Sequence, residues 1–165
     1  SPDGYALMAA LTAQARALTL SGAPVVVLGA GGAARAGVAA LGAAGAQVSV
    51  LNRTRARAEA LAADIGVSVA DPEALGEAAL VVNALSVPPE IDIPALRDGA
   101  VLMDMTYKPL ITPFLAAGRA RGLTVVDGLA MLIGQAKPSF EALFGVPVPP
   151  VDVRAVVLRH LGEAE

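Results

Sequence analysis

Val25-Val26-Val27-Leu28-Gly29-Ala30-Gly31-Gly32-Ala33-Ala34 is the stretch on which the fold turns. Its first four residues form a short apolar, β-branched run, as expected of a strand buried on both faces of a parallel sheet. The glycines that follow fit G-x-G-x-x-G/A, and an Ala-rich helical segment opens directly behind them. Each small position has its own reason: Gly29 for a tight turn, Gly31 for close approach of a pyrophosphate, Ala34 for close helix–strand packing. Unpaired amides at the helix start, with the positive end of its dipole, then hold phosphates. A purely structural glycine turn is the competing reading. The second strand, Gln47 to Leu51, favours a dinucleotide site.

The residues closing that second strand select the cofactor. A domain built for NAD carries Asp or Glu about 20 residues past the glycines, accepting hydrogen bonds from the ribose 2′-hydroxyl. Here the sequence reads Asn52-Arg53-Thr54-Arg55-Ala56-Arg57, with no carboxylate. Arg53 can lie along an adenine or fork onto a 2′-phosphate, and Arg57 lies near one helical turn further on. Cations at a helix start are poorly placed against its dipole, so mere solvation explains them badly. NADP is the expected cofactor.

Strands and helices alternate along the chain. Helical patterns are read from Tyr5 to Leu18, Arg55 to Ile65, Pro113 to Arg121 (capped by Thr112), from Asp127 onward and from Asp152 to Leu161. Asp71-Pro72-Glu73 reads as another helix start, with Asp71 as N-cap. Further strands are expected at 67–70, 79–83, 100–104 and 123–126. This alternation predicts an α/β domain with a doubly wound parallel, Rossmann-type sheet and helices on both faces. Ligands of such sheets lie beyond the carboxyl ends of the strands, where Asn52, Asn83 and Asp104 each close one. On the residues alone, Asp3 reads as a helix N-cap and Asp104 as a cap of the following turn. Pro138 should kink or end its helix.

A length of 165 residues fits one domain, and a net charge of −3 argues against nucleic acid or an anionic membrane as the main partner. The absence of cysteine excludes disulfides and thiolate metal sites, and no His, Asp and Glu cluster has metal-ligand spacing. The mean hydropathy of +0.63 comes largely from alanine, and no spanning segment or signal peptide is read. A cytoplasmic domain is the expectation.

Taken together, GAGGA, Asn52-Arg53-Thr54 with Arg57, Asn83-Ala84, Asp104 to Pro109 with Thr112-Pro113, and Asp127 to Leu132 with Gln135-Ala136 resemble the shikimate dehydrogenase family over nearly the whole chain. The resemblance implies a single NADP-binding domain over residues 1–165. Such enzymes reduce 3-dehydroshikimate to shikimate with NADPH in aromatic amino-acid biosynthesis. Carried over residue by residue, it implies that Asp3 is a catalytic carboxylate working with a lysine. It assigns Gly29, Ala30, Gly31, Gly32 and Ala33 to the pyrophosphate, and Asn52, Arg53, Thr54 and Arg57 to the adenosine 2′-phosphate. Asn83 and Ala84 would flank the ribose. Met105, Gly128, Met131 and Leu132 would line the nicotinamide pocket, with Met131 the clearest choice, and Tyr107 and Gln135 would contact substrate.

The departures from the family are Ser1-Pro2 for Asn-Thr, Ala6 for a frequent Gly and Leu85 for the Thr after Asn83-Ala84. The family's catalytic lysine belongs to an N-terminal substrate domain that this chain lacks. The polypeptide alone is therefore expected to bind NADP(H) with little or no turnover. A quinate/shikimate paralogue with relaxed cofactor use and a non-catalytic dinucleotide sensor are the alternatives. A homodimer stands among the candidate assemblies.

Overall fold

A computed structural model describes residues 1–162; residues 163–165, the end of the expected 1–165 domain, lie outside the described residues. Helix α1 spans Pro2–Gln14, and β1 (Pro24–Leu28) leads into α2 (Gly32–Ala43). Strand β2 (Gln47–Leu51), α3 (Arg55–Ile65) and the two-residue β3 (Ser68–Val69) complete the first half. The second half contains β4 (Leu80–Asn83), β5 (Val101–Asp104), α4 (Pro113–Ala120), β6 (Thr124–Val126), α5 (Gly128–Phe144) and α6 (Val153–Leu161). All strand pairs are parallel, in the order β3-β2-β1-β4-β5-β6. The chain winds outward from β1 to β3, then returns to build β4 to β6 on the other side. The expected doubly wound sheet is therefore present, and its switch point lies between β1 and β4.

Alternation along the strands divides the interior in two, because successive side chains point to opposite faces. Val25, Val27, Leu80, Val82 and Met103 face a core closed by α1, α2, α3 and the start of α5. Val26, Leu28, Val81 and Leu102 face a second core closed by α4 and the irregular segments between strands. Leu80, Val81, Val82, Leu102 and Met103 have no exposed surface, which is why these strands read as unbroken apolar runs.

Three sequence expectations require correction, and of the two outcomes expected at Pro138 one is excluded. Residues 72–77 form a 3₁₀ segment with no side-chain cap from Asp71, whose carboxylate instead pairs with Arg55 at 2.9 Å. Helix α1 stops at Gln14 rather than reaching Leu18; the chain turns at Ala15, and Leu18 and Leu20 pack against the first core. Pro138 does not end α5, which continues to Phe144 and closes on Gly145 in the left-handed conformation. Pro138 is exposed, where loss of one backbone bond leaves no buried orphan. The N-cap of α1 is Ser1, whose Oγ accepts from the Gly4 amide at 3.2 Å, leaving Asp3 uninvolved in capping.

Candidate active site

The glycine turn joins β1 to α2 at the carboxyl edge of the sheet. Gly29 has φ +116, a conformation open in practice only to glycine, and an added Cβ would lie 3.3 Å from the Ala84 carbonyl and from Leu85 Cδ2. Its amide donates to Leu51 O at 2.9 Å, while the Ala84 amide donates to Leu28 O at 2.9 Å. The turn is thus stitched to the ends of β2 and β1 and pressed against the segment after β4. Gly31 and Gly32 differ: an added Cβ at either would meet no atom within 4 Å. Gly31 is the N-cap of α2 and supplies no side-chain cap, so the first amides of that helix face open space. That geometry is a cradle for an anion.

At the end of β2, Asn52 Nδ2 donates to Thr54 O at 3.0 Å, shaping the entry to α3. Thr54 is the N-cap of α3 but makes no side-chain cap bond. Arg55 is held by Glu59 at 3.1 Å and Asp71 at 2.9 Å, and these carboxylates, Asp71 foremost, raise its pKa above the ordinary arginine value. Arg53 and Arg57 are exposed and have no ion-pair partner among the described residues. The two arginines expected to meet a phosphate are therefore the two left free to do so.

Asn83 and Asp104 close adjacent strands but turn their side chains inward. Each is 1% exposed, and Asn83 Nδ2 donates to Asp104 Oδ1 at 3.2 Å. Asn83 Oδ1 accepts from the Leu85 amide, and Asp104 accepts from the Thr106 amide and from the Thr112 hydroxyl at 2.8 Å. Thr112 in turn caps α4 through the Leu115 amide. Asp104 thus has the turn-capping role read for it, and Asn83 fixes the strand-end turns through its carboxamide.

Gly128 opens α5 against the segment after β5, where an added Cβ would lie 2.6 Å from Thr106 O. That wedge keeps Met105 beside the start of α5. Met131 is 6% exposed within the first core, whereas Leu132 is 41% exposed. Of the two, Leu132 has the surface a ligand can reach. Tyr107 is half-buried and packs against a small cluster with Leu110, Leu129 and Leu158. Gln135, one turn beyond Met131, donates from Nε2 to Asp3 Oδ1 at 2.9 Å. The structure thus brings the two candidates from opposite ends of the chain together.

The sequence reading missed Gln14 and Arg154. Both bind Asp127, which is 4% exposed and caps α5 through the Ala130 amide. Arg154 forks onto the carboxylate at 3.2 and 2.8 Å, and Gln14 Nε2 donates to it at 3.1 Å. Burial alone would raise the Asp127 pKa; the bonds from Arg154, Gln14 and Ala130 outweigh it and hold the carboxyl below its ordinary value. Arg154 did carry a signal, since a cation in the first turn of α6 opposes the helix dipole and implies a specific acidic partner. Among the described residues there is no group of three potential metal ligands, and no helix long and apolar enough to cross a membrane.

Strand order 3-2-1-4-5-6, a glycine turn at the first crossover and an uncapped α2 define the class: a Rossmann-type α/β domain. The model of the shikimate / quinate 5-dehydrogenase family matches residues 11–97. The chain belongs to that family. It is 47% identical over 98% of its length to shikimate dehydrogenase (NADP(+)) of Caulobacter vibrioides, and spans 61% of that relative. Shikimate 5-dehydrogenase of Thermus thermophilus, solved with NADP(H) and shikimate, superposes with a TM-score of 0.80 at 37% identity, over 90% of this chain and 58% of that one. Quinate dehydrogenase of Corynebacterium glutamicum, solved with NAD, gives 0.76 at 28% identity, over 88% and 57%.

Proposed function

We propose that this chain is the NADP(H)-binding domain of a shikimate dehydrogenase, reducing 3-dehydroshikimate to shikimate in aromatic amino-acid biosynthesis. The observation that carries the reading is the pairing of an open glycine cradle with Arg53 and Arg57 at the end of β2, which have no ion-pair partner among the described residues. Gly29, Ala30, Gly31, Gly32 and Ala33 would receive the pyrophosphate on the amides of α2. Asn52 and Thr54 shape the entry to α3, and Arg53 and Arg57 would grip the 2′-phosphate. A guanidinium fork gains far more from a phosphate dianion than from a bare hydroxyl, so the site discriminates against NAD. Ala84 and the backbone of Asn83 would flank the ribose.

Met105 and Leu132 would form an apolar wall at the nicotinamide, with Gly128 and Met131 fixing the backbone behind it. The bound nicotinamide supplies the hydride. An apolar wall keeps water from the reacting face. Asp3 and Gln135, already hydrogen-bonded, would orient substrate hydroxyls together with Tyr107, and Asp3 would hold a proton position beside a lysine from a separate substrate domain. Tested by itself, a polypeptide of residues 1–165 would bind cofactor with little or no turnover. The quinate/shikimate alternative gains support from the NAD-bound quinate dehydrogenase neighbour, but the missing carboxylate after β2 argues for NADP. The enzyme would work in the cytoplasm, and a homodimer would sediment at twice the protomer mass.

Calorimetric titration with NADP and with NAD tests the proposal. Binding of NADP at least tenfold tighter than NAD is the expected result. Equal affinities, or no binding of either, would overturn it.

A further inference from the structure

Helices α1 and α5 meet at two polar contacts with small residues between them. Next to Gln135 in sequence, Gly134 packs on α1 so closely that an added Cβ would stand 3.3 Å from Ala9 Cβ. At one end lies the Asp3–Gln135 hydrogen bond, made at an exposed surface where water competes for both partners. At the other end the contact is reciprocal and sheltered. Gln14 Nε2 donates to Asp127 Oδ2 at 3.1 Å, and the Asp127 amide donates back to Gln14 Oε1 at 3.0 Å. Arg154 closes the arrangement from α6 with both terminal nitrogens on the Asp127 carboxylate.

We infer that Gln14, Asp127 and Arg154 are positioning residues that fix the register of α1 on α5 and thereby hold the Asp3 carboxylate against the Gln135 carboxamide. Small residues between two helices allow close approach but resist sliding weakly, because they offer few interlocking side chains. Directional bonds at the part-buried Gln14–Asp127 end supply that resistance. A reciprocal amide pair is satisfied at one axial offset; sliding α1 by one residue, about 1.5 Å, would break both of its bonds. The exposed end cannot do this itself, since a solvated hydrogen bond contributes little net. The bidentate guanidinium adds orientation, because a fork meets a carboxylate in one plane.

The consequence for chemistry rests on the reading of Asp3 and Gln135 as substrate-side residues; the coupling between the two ends does not. The test therefore reads the contact directly. In the 165-residue chain, the side-chain NH₂ resonance of Gln135 is followed by ¹H–¹⁵N NMR, with Asp3→Asn marking its position when the carboxylate is gone. Gln14→Met and Asp127→Asn are expected to move that resonance most of the way to the Asp3→Asn position, while the backbone signals of the sheet keep their dispersion. An unmoved resonance in both variants would overturn the inference. If Asp127→Asn unfolds, the half-buried Gln14→Met decides alone, and its unfolding would also overturn a positioning role. Calorimetry with NADP separates this inference from the functional proposal. No NADP binding by the unaltered chain sinks that proposal and leaves the coupling intact, whereas NADP binding with an unmoved Gln135 resonance sinks the coupling alone.

Discussion

Gln135 Nε2 donates a 2.9 Å hydrogen bond to Asp3 Oδ1 across 132 residues of sequence, joining the first turn of α1 to the middle of α5. The cap of α1 is Ser1 rather than Asp3, and the Asp3–Gln135 contact is exposed. A carboxylate and a carboxamide held together at an exposed edge suit recognition of a polyol. In a full-length shikimate dehydrogenase of the kind proposed, Asp3→Asn is expected to lower kcat by about 10²-fold or more, the usual scale for losing a proton-handling group. The NADP dissociation constant should stay within twofold. Steady-state rates and calorimetry check both halves, and an unchanged kcat would remove Asp3 from the catalytic set.

The three arginines after β2 should separate cleanly. Arg53→Ala is expected to weaken NADP by about 10- to 100-fold, since a hydrogen bond to a charged group contributes roughly 1.5–3 kcal/mol. NAD binding should scarcely change. Arg57→Ala should act in the same direction, whereas Arg55→Ala should leave both cofactors alone because Glu59 and Asp71 already hold that side chain. Calorimetry on the three variants reads the pattern; a dominant effect at Arg55 would contradict it.

What was legible in the sequence follows its physics. Apolar runs such as Val25–Leu28 announce strands buried on both faces, and Arg55–Ile65 was read to its observed bounds. Local signals failed where a distant partner decided. Asp71 has the sequence of a cap, but Arg55 claims its carboxylate. Met131 and Leu132 lie side by side on one helix; helical spacing gives both a core reading, and only the packed structure separates Met131 in the core from Leu132 at the surface. The Gln14–Asp127 contact spans 113 residues and belongs to no short motif, so only the packed helices reveal it.

Two glycines in one turn should respond oppositely. Gly29→Ala places a Cβ at φ +116 and 3.3 Å from the Ala84 backbone, and is expected to destabilise the fold by about 1–3 kcal/mol. Gly31 lies at φ −92, ψ −168 with open space around it, so Gly31→Val should fold with a near-unchanged Tm. Its isopropyl group would occupy the phosphate cradle, weakening NADP at least tenfold. Thermal melts paired with titrations check the contrast, and unimpaired NADP binding by Gly31→Val would move the pyrophosphate elsewhere.

Acid should act through Asp127. Its carboxyl is held below the ordinary value despite burial, by Arg154, Gln14 and the Ala130 amide. A carboxylate whose folded pKa is depressed contributes stability that is fully present above the unfolded value, about 3.9, and is lost as pH falls through the folded value. The Tm advantage of the unaltered chain over Asp127→Asn should therefore be constant from neutrality down to about pH 5 and shrink below about pH 4. Against Arg154→Met the advantage should also shrink on acidification but from a higher pH, because without the guanidinium the buried carboxylate loses its strongest partner and its pKa rises. Melts between pH 2.5 and 7 measure the difference. An advantage that persists undiminished at the lowest pH would show that the charge on Asp127 contributes nothing and that the contact acts through shape alone.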